Sequence, residues 1–461
     1  MNEKVKRFLT ATSNLLESKI MIPILFDLML ILWLFKLTYV SVLVMAIVVG
    51  AILLLCKDVK NSFLPVVYIS FFINDLEAEA NFILYGIAIG VVAISAVTFV
   101  VLKFIKERKT LKKGNMFWAF VIEAIAFLLA GCIGHFNVLY ASVALGFCLL
   151  TYFFYWVAIN SCKNLKEYLF RLAVYGAVYI VIVFCVLNIG MGSLYDSIVK
   201  RRVIWVGAQQ INVAATFIVF GIIGAFALGY KNKLDYLYFL LATFLYAFLL
   251  FTFCRLMIGI GTFVYVFMLV VMIVKSPKKK NFIWTLVAAV VTFGILCVAS
   301  WDGLEYMIDT IVWKVKTGGN GREALWPWCI ERFLENPIFG HGFVSDTPVP
   351  TLRNNVVKLI MAHNTVLQWL TSLGIVGSVL MIFYYYKKYQ IMFTRPLAKK
   401  FFLIVFLITI ELNGMFDQTA IMSIFVVFLT NLLLASCEEE TPNVKKFNLF
   451  KRRKTIKKES K

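Results

Sequence analysis

Charged residues and histidines are scarce in this sequence. Only 15% of the 461 residues are Asp, Glu, Lys or Arg, whereas 61% are hydrophobic, a balance far from that of a water-soluble domain. Three histidines leave little material for a metal centre. The nine cysteines lie mostly inside apolar runs and form no C-x-x-C pair, which argues against zinc and against a disulfide framework. We therefore expect no metal and no cofactor.

Positive charge, by contrast, is in excess. The formal net charge is +21. In a soluble chain this excess would indicate nucleic-acid binding, but in a membrane protein Lys and Arg gather in cytoplasmic loops that face anionic headgroups. We therefore expect membrane lipids, and no nucleic acid, as partners.

Long apolar segments recur along the whole chain. Because a helix needs about 20 apolar residues to cross the hydrocarbon core, these segments predict an all-α integral membrane protein with about 14 spans (roughly 12 to 14). The third predicted span is short enough to be a re-entrant segment instead. By residue number, the predicted spans are 20–35, 38–56, 63–74, 82–102, 115–134, 138–160, 168–188, 209–229, 236–253, 256–274, 282–299, 365–386, 401–415 and 419–436.

Basic connections alternate with acidic or very short ones. Residues 103–113, 275–280 and 387–400 are rich in lysine, whereas residues 75–80 (DLEAEA) are acidic. Because basic loops stay inside, this pattern predicts about 11 spans in residues 1–299, a large extracytoplasmic loop at 300–362, about three spans in 363–437 and a basic cytoplasmic tail at 438–461. Both termini are then cytoplasmic.

The large outer loop is predicted to contain short helices. After the turn GGNG, the stretch from Arg322 to Glu335 predicts a helix that Asn336-Pro337 ends, followed by the glycine-rich turn FGHGF. An earlier stretch predicts an amphipathic helix at the membrane interface, whose apolar stripe consists of Leu304, Ile308, Ile311, Val312 and Val315.

Four arginines fall on the predicted outer face, against the positive-inside pattern. They are Arg201, Arg202, Arg255 and Arg322. Each one alone is explained as a headgroup anchor. Several brought together by helix packing would suit bidentate capture of a phosphate or diphosphate, so we favour an anion site.

His363 lies where the outer loop re-enters the membrane. Its imidazole titrates near neutrality and can accept a proton from a substrate hydroxyl, although a structural role is the alternative. His341, with a glycine on each side, is more typical of a backbone turn than of a catalyst. Because ATP and nucleotide sugars are cytoplasmic, a bond-forming reaction outside needs a donor with its own leaving group. A lipid-linked diphosphate sugar meets that need.

The segment from Arg322 to Gly377 carries a specific motif. His363-Asn364, nine residues and then Gly374-x-x-Gly377 follow the pattern H-N-x9-G-x-x-G. The stretch before it, GREALWPWCIERFLENPIFGHGF, opens with an arginine and ends in N-P-x-x-G-x-G. In both respects the chain resembles the O-antigen ligase and oligosaccharide repeat-unit polymerase superfamily, membrane enzymes that act on polyprenyl-diphosphate-linked glycans.

Two upstream segments resemble the same superfamily more weakly. RRVIWVGAQQINVAATF resembles its arginine-rich approach to a span, with Asn212 inside, and FCRLMIGIG resembles its S-R-x-x-x-G turn, with Cys254 in place of Ser. The resemblance implies that His363 acts as the base and that the donor diphosphate binds the outer-face arginines, namely Arg202, Arg255 and Arg322.

Glu411 lies near the outer end of the thirteenth predicted span. Intramembrane carboxylates are costly and so indicate function, here either at the acceptor hydroxyl or in a pair with an outer-face arginine. The expected catalytic residues are therefore His363, Arg322 and Arg255. The expected substrate-binding residues are Arg201, Arg202, Asn212, Asn364 and Glu411.

The resemblance implies a metal-independent glycosyltransferase of the bacterial plasma membrane. Its reaction would transfer glycan from a polyprenyl-diphosphate-linked oligosaccharide to a sugar hydroxyl of another lipid-linked repeat unit, in capsule, exopolysaccharide or O-antigen synthesis. Composition and the modest loop favour this polymerase over a ligase that transfers glycan to a lipid or cell-wall acceptor. A flippase of the same lipid is the second alternative, but its polar groups should lie near the midplane. A separate flippase and a chain-length regulator are the expected protein partners.

Overall fold

The computed structural model describes residues 3–35, 37–66, 82–107, 110–189, 211–299, 322–344, 360–416 and 424–441, with the single positions 301, 305 and 308. This described part is all-helical and contains no β-strand. In chain order the helices are α1 (Glu3–Glu17), α2 (Met21–Leu34), α3 (Thr38–Leu55), α4 (Phe82–Glu107), α5 (Phe117–Leu129), α6 (Val138–Ser161), α7 (Leu165–Ile189), α8 (Ile211–Gly229), α9 (Asp235–Phe251), α10 (Arg255–Lys275), α11 (Lys279–Ala299), α12 (Arg322–Glu335), α13 (Thr365–Phe393), α14 (Leu397–Phe416) and α15 (Ile424–Glu439).

The helices follow the apolar segments of the sequence. Every predicted span except the third, which lies mostly outside the described residues, coincides with one of α2–α11 or α13–α15. Among the described residues, six helices are long and apolar enough to cross a membrane, namely α4, α6, α7, α8, α10 and α13. The all-helical membrane fold is thus confirmed. Fourteen crossings, the domain boundaries and the outer position of the loop remain predictions.

Basic connections meet at one end of the bundle. The backbone N–H of Lys112 donates to Asn160 Oδ1 at 2.8 Å, which joins the segment before α5 to the end of α6. Lys166, in the first turn of α7, forms an ion pair with Glu440, just after α15. Lys166 Nζ also donates to Lys399 O at 3.3 Å, so the basic connections before α5, α7 and α14 share one end, as the positive-inside pattern predicts. That this end is cytoplasmic remains a prediction.

Contacts between aromatic side chains give the relative directions of the helices. These directions show which helix ends lie at the end of the bundle away from the basic connections. Phe220 of α8 stacks on Phe406 of α14 with ring centroids 4.3 Å apart, and Tyr230, just after α8, lies 5.3 Å from Phe402. The two helices therefore run antiparallel. Short turns also make α9 antiparallel to α10 and α13 antiparallel to α14. The starts of α8, α10 and α13 consequently lie with the end of α14, away from the basic connections.

Helix α12 confirms the helix predicted from Arg322 to Glu335. It packs against α13, which also contacts α5, α14 and α15 and so occupies a central place in the bundle. The predicted amphipathic stripe at 304–315 lies outside the described residues, apart from Glu305 and Ile308.

Candidate functional site

Asn364 is the N-cap of α13. Its backbone is extended (φ −158°, ψ 124°), and its Oδ1 accepts the backbone N–H groups of Val366 and Leu367 at 2.9 and 3.0 Å. Asparagine is well suited here because a short side-chain oxygen satisfies the N–H groups left unpaired in a first helical turn. Its Nδ2 donates to Met415 O at 2.9 Å. Both ends of the amide are thus engaged within the protein, and a contact of Asn364 with substrate stays a prediction.

His363 precedes this cap in an uncommon backbone conformation. Its φ of +49° lies in the left-handed region, which non-glycine residues occupy only where neighbouring contacts hold them. The preceding residue, Ala362, is held on both sides: Trp326 Nε1 donates to its carbonyl at 3.1 Å, and Gln368 Oε1 accepts its N–H at 2.9 Å. The half-buried imidazole therefore projects from a tightly defined reversal of the chain.

The first glycine of the motif allows two backbones to touch. Gly374 has φ +64° and ψ −166°, which kinks α13, and a Cβ there would lie 2.4 Å from Ile338 O. A Cβ on Gly340 would lie 2.6 Å from Gly374 N. At this contact the N–H of Ile375 donates to Pro337 O at 2.8 Å. The turn after α12 is thus fixed directly to the kink of α13, so the two motif segments form one unit.

His341 lies in this turn, as its flanking glycines predicted. Its N–H donates to Thr371 O at 2.9 Å, and its Nε2 lies 3.6 Å from a carboxylate oxygen of Glu335. No pattern in the sequence connects His341 with His135, yet the two rings lie with centroids 4.3 Å apart. Burial lowers the pKa of His341, and the neighbouring His135 lowers it further. Within the described ranges, no group of three or more His, Cys, Asp or Glu side chains is placed to hold a metal ion.

Arg322 is the first residue of α12, one turn before Trp326. Because the indole of Trp326 bonds to the residue before His363, α12 brings Arg322 to the same part of the molecule as the motif histidine. The guanidinium of Arg322 and the imidazole of His363 therefore lie on two segments that are connected by a hydrogen bond.

The other candidates are less closely connected to His363. Arg255 begins α10 after Phe253, whose φ is +51°, and Asn212 lies in the first turn of α8. Both therefore occupy the bundle end that carries the start of α13, and α10 and α8 both pack against α14. In the part of the chain that the structure describes, no carboxylate forms an ion pair with Arg255. Arg201 and Arg202 lie outside the described residues.

Glu411 has a different partner from the arginine that the sequence predicted. Its carboxylate on α14 accepts a hydrogen bond from Lys388 Nζ on α13, whose side chain is 1% exposed. The ammonium also lies 4.6 Å from the centroid of the Tyr385 ring. The sequence prediction ended this span at Tyr386 and so placed Lys388 in a loop, but α13 continues to Phe393. A long lysine side chain then reaches along the bundle toward Glu411.

Comparison with protein families finds a match in the second half of the chain. Residues 239–382 match the family model described as O-antigen ligase. No curated protein matches the chain. The matched segment contains Arg255, Arg322, His363 and Asn364, whereas Asn212 and Glu411 lie outside it. The match confirms the resemblance of this segment to O-antigen ligase, a family whose members are glycosyltransferase-like enzymes.

Proposed function

We propose that this membrane protein, which carries an O-antigen ligase-like segment, is a polysaccharide polymerase. Its donor is an oligosaccharide linked to polyprenyl diphosphate. Its acceptor is a sugar hydroxyl of another lipid-linked repeat unit, and the reaction takes place at the outer face of the plasma membrane. The family match supports transfer of a glycan. The choice of donor rests on the residues described below, that of the membrane face on the positive-inside pattern, and that of the acceptor on composition and the modest loop.

The observation that carries the proposal is the attachment of α12 to the residue before His363. The hydrogen bond from Trp326 to Ala362 O joins the helix that begins with Arg322 to the segment that carries the imidazole. An arginine binds phosphate oxygens in a fixed fork, and a neutral imidazole accepts a proton near pH 7. This pair of groups suits a diphosphate-linked sugar with an attacking hydroxyl.

In the proposed reaction the acceptor hydroxyl oxygen attacks the anomeric carbon of the donor. A new carbon–oxygen bond forms as the bond between the anomeric carbon and the diphosphate oxygen breaks, and the hydroxyl proton passes to His363. The lipid diphosphate leaves with the bonding electron pair. Arg322 and Arg255 stabilise the charge that develops on it, as preorganised donors do at a developing oxyanion. A single displacement of this kind inverts the anomeric configuration.

The experiment that tests the proposal follows the fate of a labelled lipid-linked repeat unit. The full chain is reconstituted in vesicles with this compound alone, beside the His363→Ala variant. Products of two or more repeats on the lipid, absent with the variant, support the polymerase. Transfer only after an added lipid or cell-wall acceptor would show a ligase instead. Movement of label across the vesicle without any longer glycan would show a transporter and overturn the enzymatic assignment.

Deletion of the gene in the producing cell provides an independent test of the acceptor. Loss of a polymerase leaves single repeat units on the lipid, because nothing extends them. Loss of a ligase leaves long glycans that stay on the lipid. The length distribution of the lipid-linked glycan therefore distinguishes the two activities without purified partner proteins.

A further inference from the structure

Gln368 is a buried amide in the first turns of α13. It is 1% exposed, and its polar atoms have three partners. Its Oε1 accepts the N–H of Ala362 at 2.9 Å. Its Nε2 donates to Ile360 O at 3.0 Å and to Ser372 Oγ at 2.8 Å. Because unpaired polar groups are costly to bury, each of these bonds strongly favours this one arrangement of the chain.

Two of the three partners belong to the backbone that leads into His363. The Gln368 amide forms hydrogen bonds with both the carbonyl of Ile360 and the N–H of Ala362. Because the amide is planar, the two bonds together fix the direction of the chain just before the reversal. Trp326 holds the carbonyl of Ala362 from the other side. After the reversal, Asn364 fixes the chain through its cap and its bond to α14. The left-handed backbone conformation of His363 is therefore stabilised by contacts of the residues on both sides of it in the sequence.

We propose that Gln368 is a positioning residue for His363. Its amide holds the chain that carries the imidazole, so that the base points at the acceptor hydroxyl instead of sampling several directions. The proposal rests on the proposed function, because it requires His363 to accept the proton. It adds that the direction of the base depends on a side chain whose hydrogen bonds go to Ala362, Ile360 and Ser372.

Glutamine is chemically specific at this position. A carbonyl oxygen and an NH₂ group are needed on one rigid plane, since one backbone partner is a donor and the other is an acceptor. Methionine keeps the volume and flexibility but makes neither bond. Glutamate keeps the acceptor and loses the donors, but its protonated form regains one O–H donor. Methionine therefore removes all three bonds permanently, whereas glutamate removes only the two donated bonds and does so in a pH-dependent way.

The test compares Gln368→Met and Gln368→Glu with the wild type in the reconstituted polymerisation assay. For Gln368→Met we expect kcat to fall about 10²-fold, because a small misplacement of a catalytic group costs about that much. Binding of the lipid-diphosphate donor should stay within about twofold, since an amide remote from the diphosphate does not hold it. A loss of donor binding as large as the loss of kcat would overturn the proposal in favour of general damage.

The glutamate variant is measured as kcat per folded molecule, with donor binding determined at the same pH values, because a buried carboxylate that only damaged the fold would lower both together. Its activity relative to wild type should rise as the pH falls, because the protonated carboxyl can again donate to Ile360 O. A relative activity that stays constant across the pH range would overturn the proposal, and this arm applies even when Gln368→Met does not fold. Gln390→Met is the matched control, since it removes an exposed amide at the far end of the same helix.

The His363→Ala variant, assayed in parallel, separates failure of the inference from failure of the proposed function. When His363→Ala is inactive and Gln368→Met keeps a normal kcat, the positioning role is wrong and the proposed function stands. When His363→Ala keeps normal synthesis, the assignment of the base is wrong, and the role of Gln368 is overturned with it.

Discussion

The two halves of α13 hold their polar residues in different ways. At its start, Asn364 and Gln368 make directional hydrogen bonds to backbone groups, and these bonds determine the path of the chain around His363. In its other half, Lys388 makes an ion pair with Glu411 of α14. The hydrogen bonds fix the orientation of the chain around His363. The ion pair joins two helices and depends less on exact bond angles. Polar residues inside a membrane bundle therefore do not all indicate a catalytic site.

A carboxylate inside a membrane span does not indicate a functional site when a buried cation pairs with it. A carboxylate in a span indicates function by default because its burial is costly, but the default applies only until a partner is found. Lys388 is such a partner for Glu411, so the pair can persist without any substrate. His363 differs, because its surroundings hold its backbone and leave part of the imidazole accessible. Variants in the two halves should consequently separate chemistry from stability.

The largest effect is expected at His363. His363→Ala should lower the rate of glycan transfer about 10²- to 10⁴-fold, the usual cost of a lost general base. Binding of the lipid-diphosphate donor should stay nearly normal, because a neutral imidazole that acts on the acceptor contributes little to holding the donor. Product assays and direct donor binding in detergent give the two numbers. Near-normal polymer synthesis by this variant would refute the base assignment, and the proton would then leave through another group or to solvent.

A large loss of stability without loss of chemistry is expected at the ion pair. Glu411→Gln leaves the ammonium of Lys388 buried without its carboxylate, which should destabilise the bundle by about 3 kcal/mol. The double variant Lys388→Met with Glu411→Gln should recover part of this loss, because no buried charge remains. Thermal unfolding of the wild type, Lys388→Met, Glu411→Gln and the double variant in detergent measures both terms. Turnover by the folded fraction of Glu411→Gln should be normal; a rate defect there would return Glu411 to the acceptor site.

An intermediate effect on binding and rate together is expected at Arg322. Its guanidinium would contact the diphosphate before the reaction and more strongly as the leaving group gains charge. Arg322→Ala should therefore weaken donor binding and lower kcat, each roughly tenfold, and Arg322→Lys should restore only part because it lacks the bidentate fork. Arg332→Ala is the control on the same helix, since Arg332 pairs with Glu335 at 2.8 Å. Equal defects in both alanine variants would show that α12 has merely lost its packing.

Much of the fold could be predicted because the bilayer imposes simple rules. Backbone groups in hydrocarbon must be satisfied internally, so apolar runs of sufficient length became helices with ends within a few residues of those predicted. The main exception at the site was the end of α13. The predicted span ended at Tyr386, and the basic stretch that begins with Lys387 was predicted to be a loop, but the helix continues to Phe393. Amphipathic side chains of this kind can continue a helix when their polar ends find partners, as Lys388 does.

The site was only partly predictable for a different reason. The spacing from His363 to Gly374 marked the motif, and the glycine proved necessary where two backbones meet. The contacts of Gln368 and the approach of His135 to His341 depend on tertiary packing between segments that no local pattern connects. One signal was available, since a glutamine in an otherwise apolar helix must find hydrogen-bond partners. That signal indicated a buried contact but did not identify the partner.

The smallest expected effect concerns the turn that joins α12 to α13. His341 is buried beside His135, and its lowered pKa means that the docked turn binds a proton less readily than the unfolded chain does. The unfolded chain therefore takes up more protons as the pH falls below the usual histidine pKa of about 6.5, so stability is lost on acidification and the loss is complete below the lowered pKa.

Unfolding of the full chain at a series of pH values between neutral and about pH 5 measures this loss of stability, which should be smaller than the loss in the ion-pair variants. His135→Gln should reduce the pH dependence, because it removes the neighbouring ring that opposes protonation of His341. Stability is the proper readout, since activity also depends on the proposed base, His363. An identical pH dependence in the wild type and in His341→Gln would assign the effect to other groups.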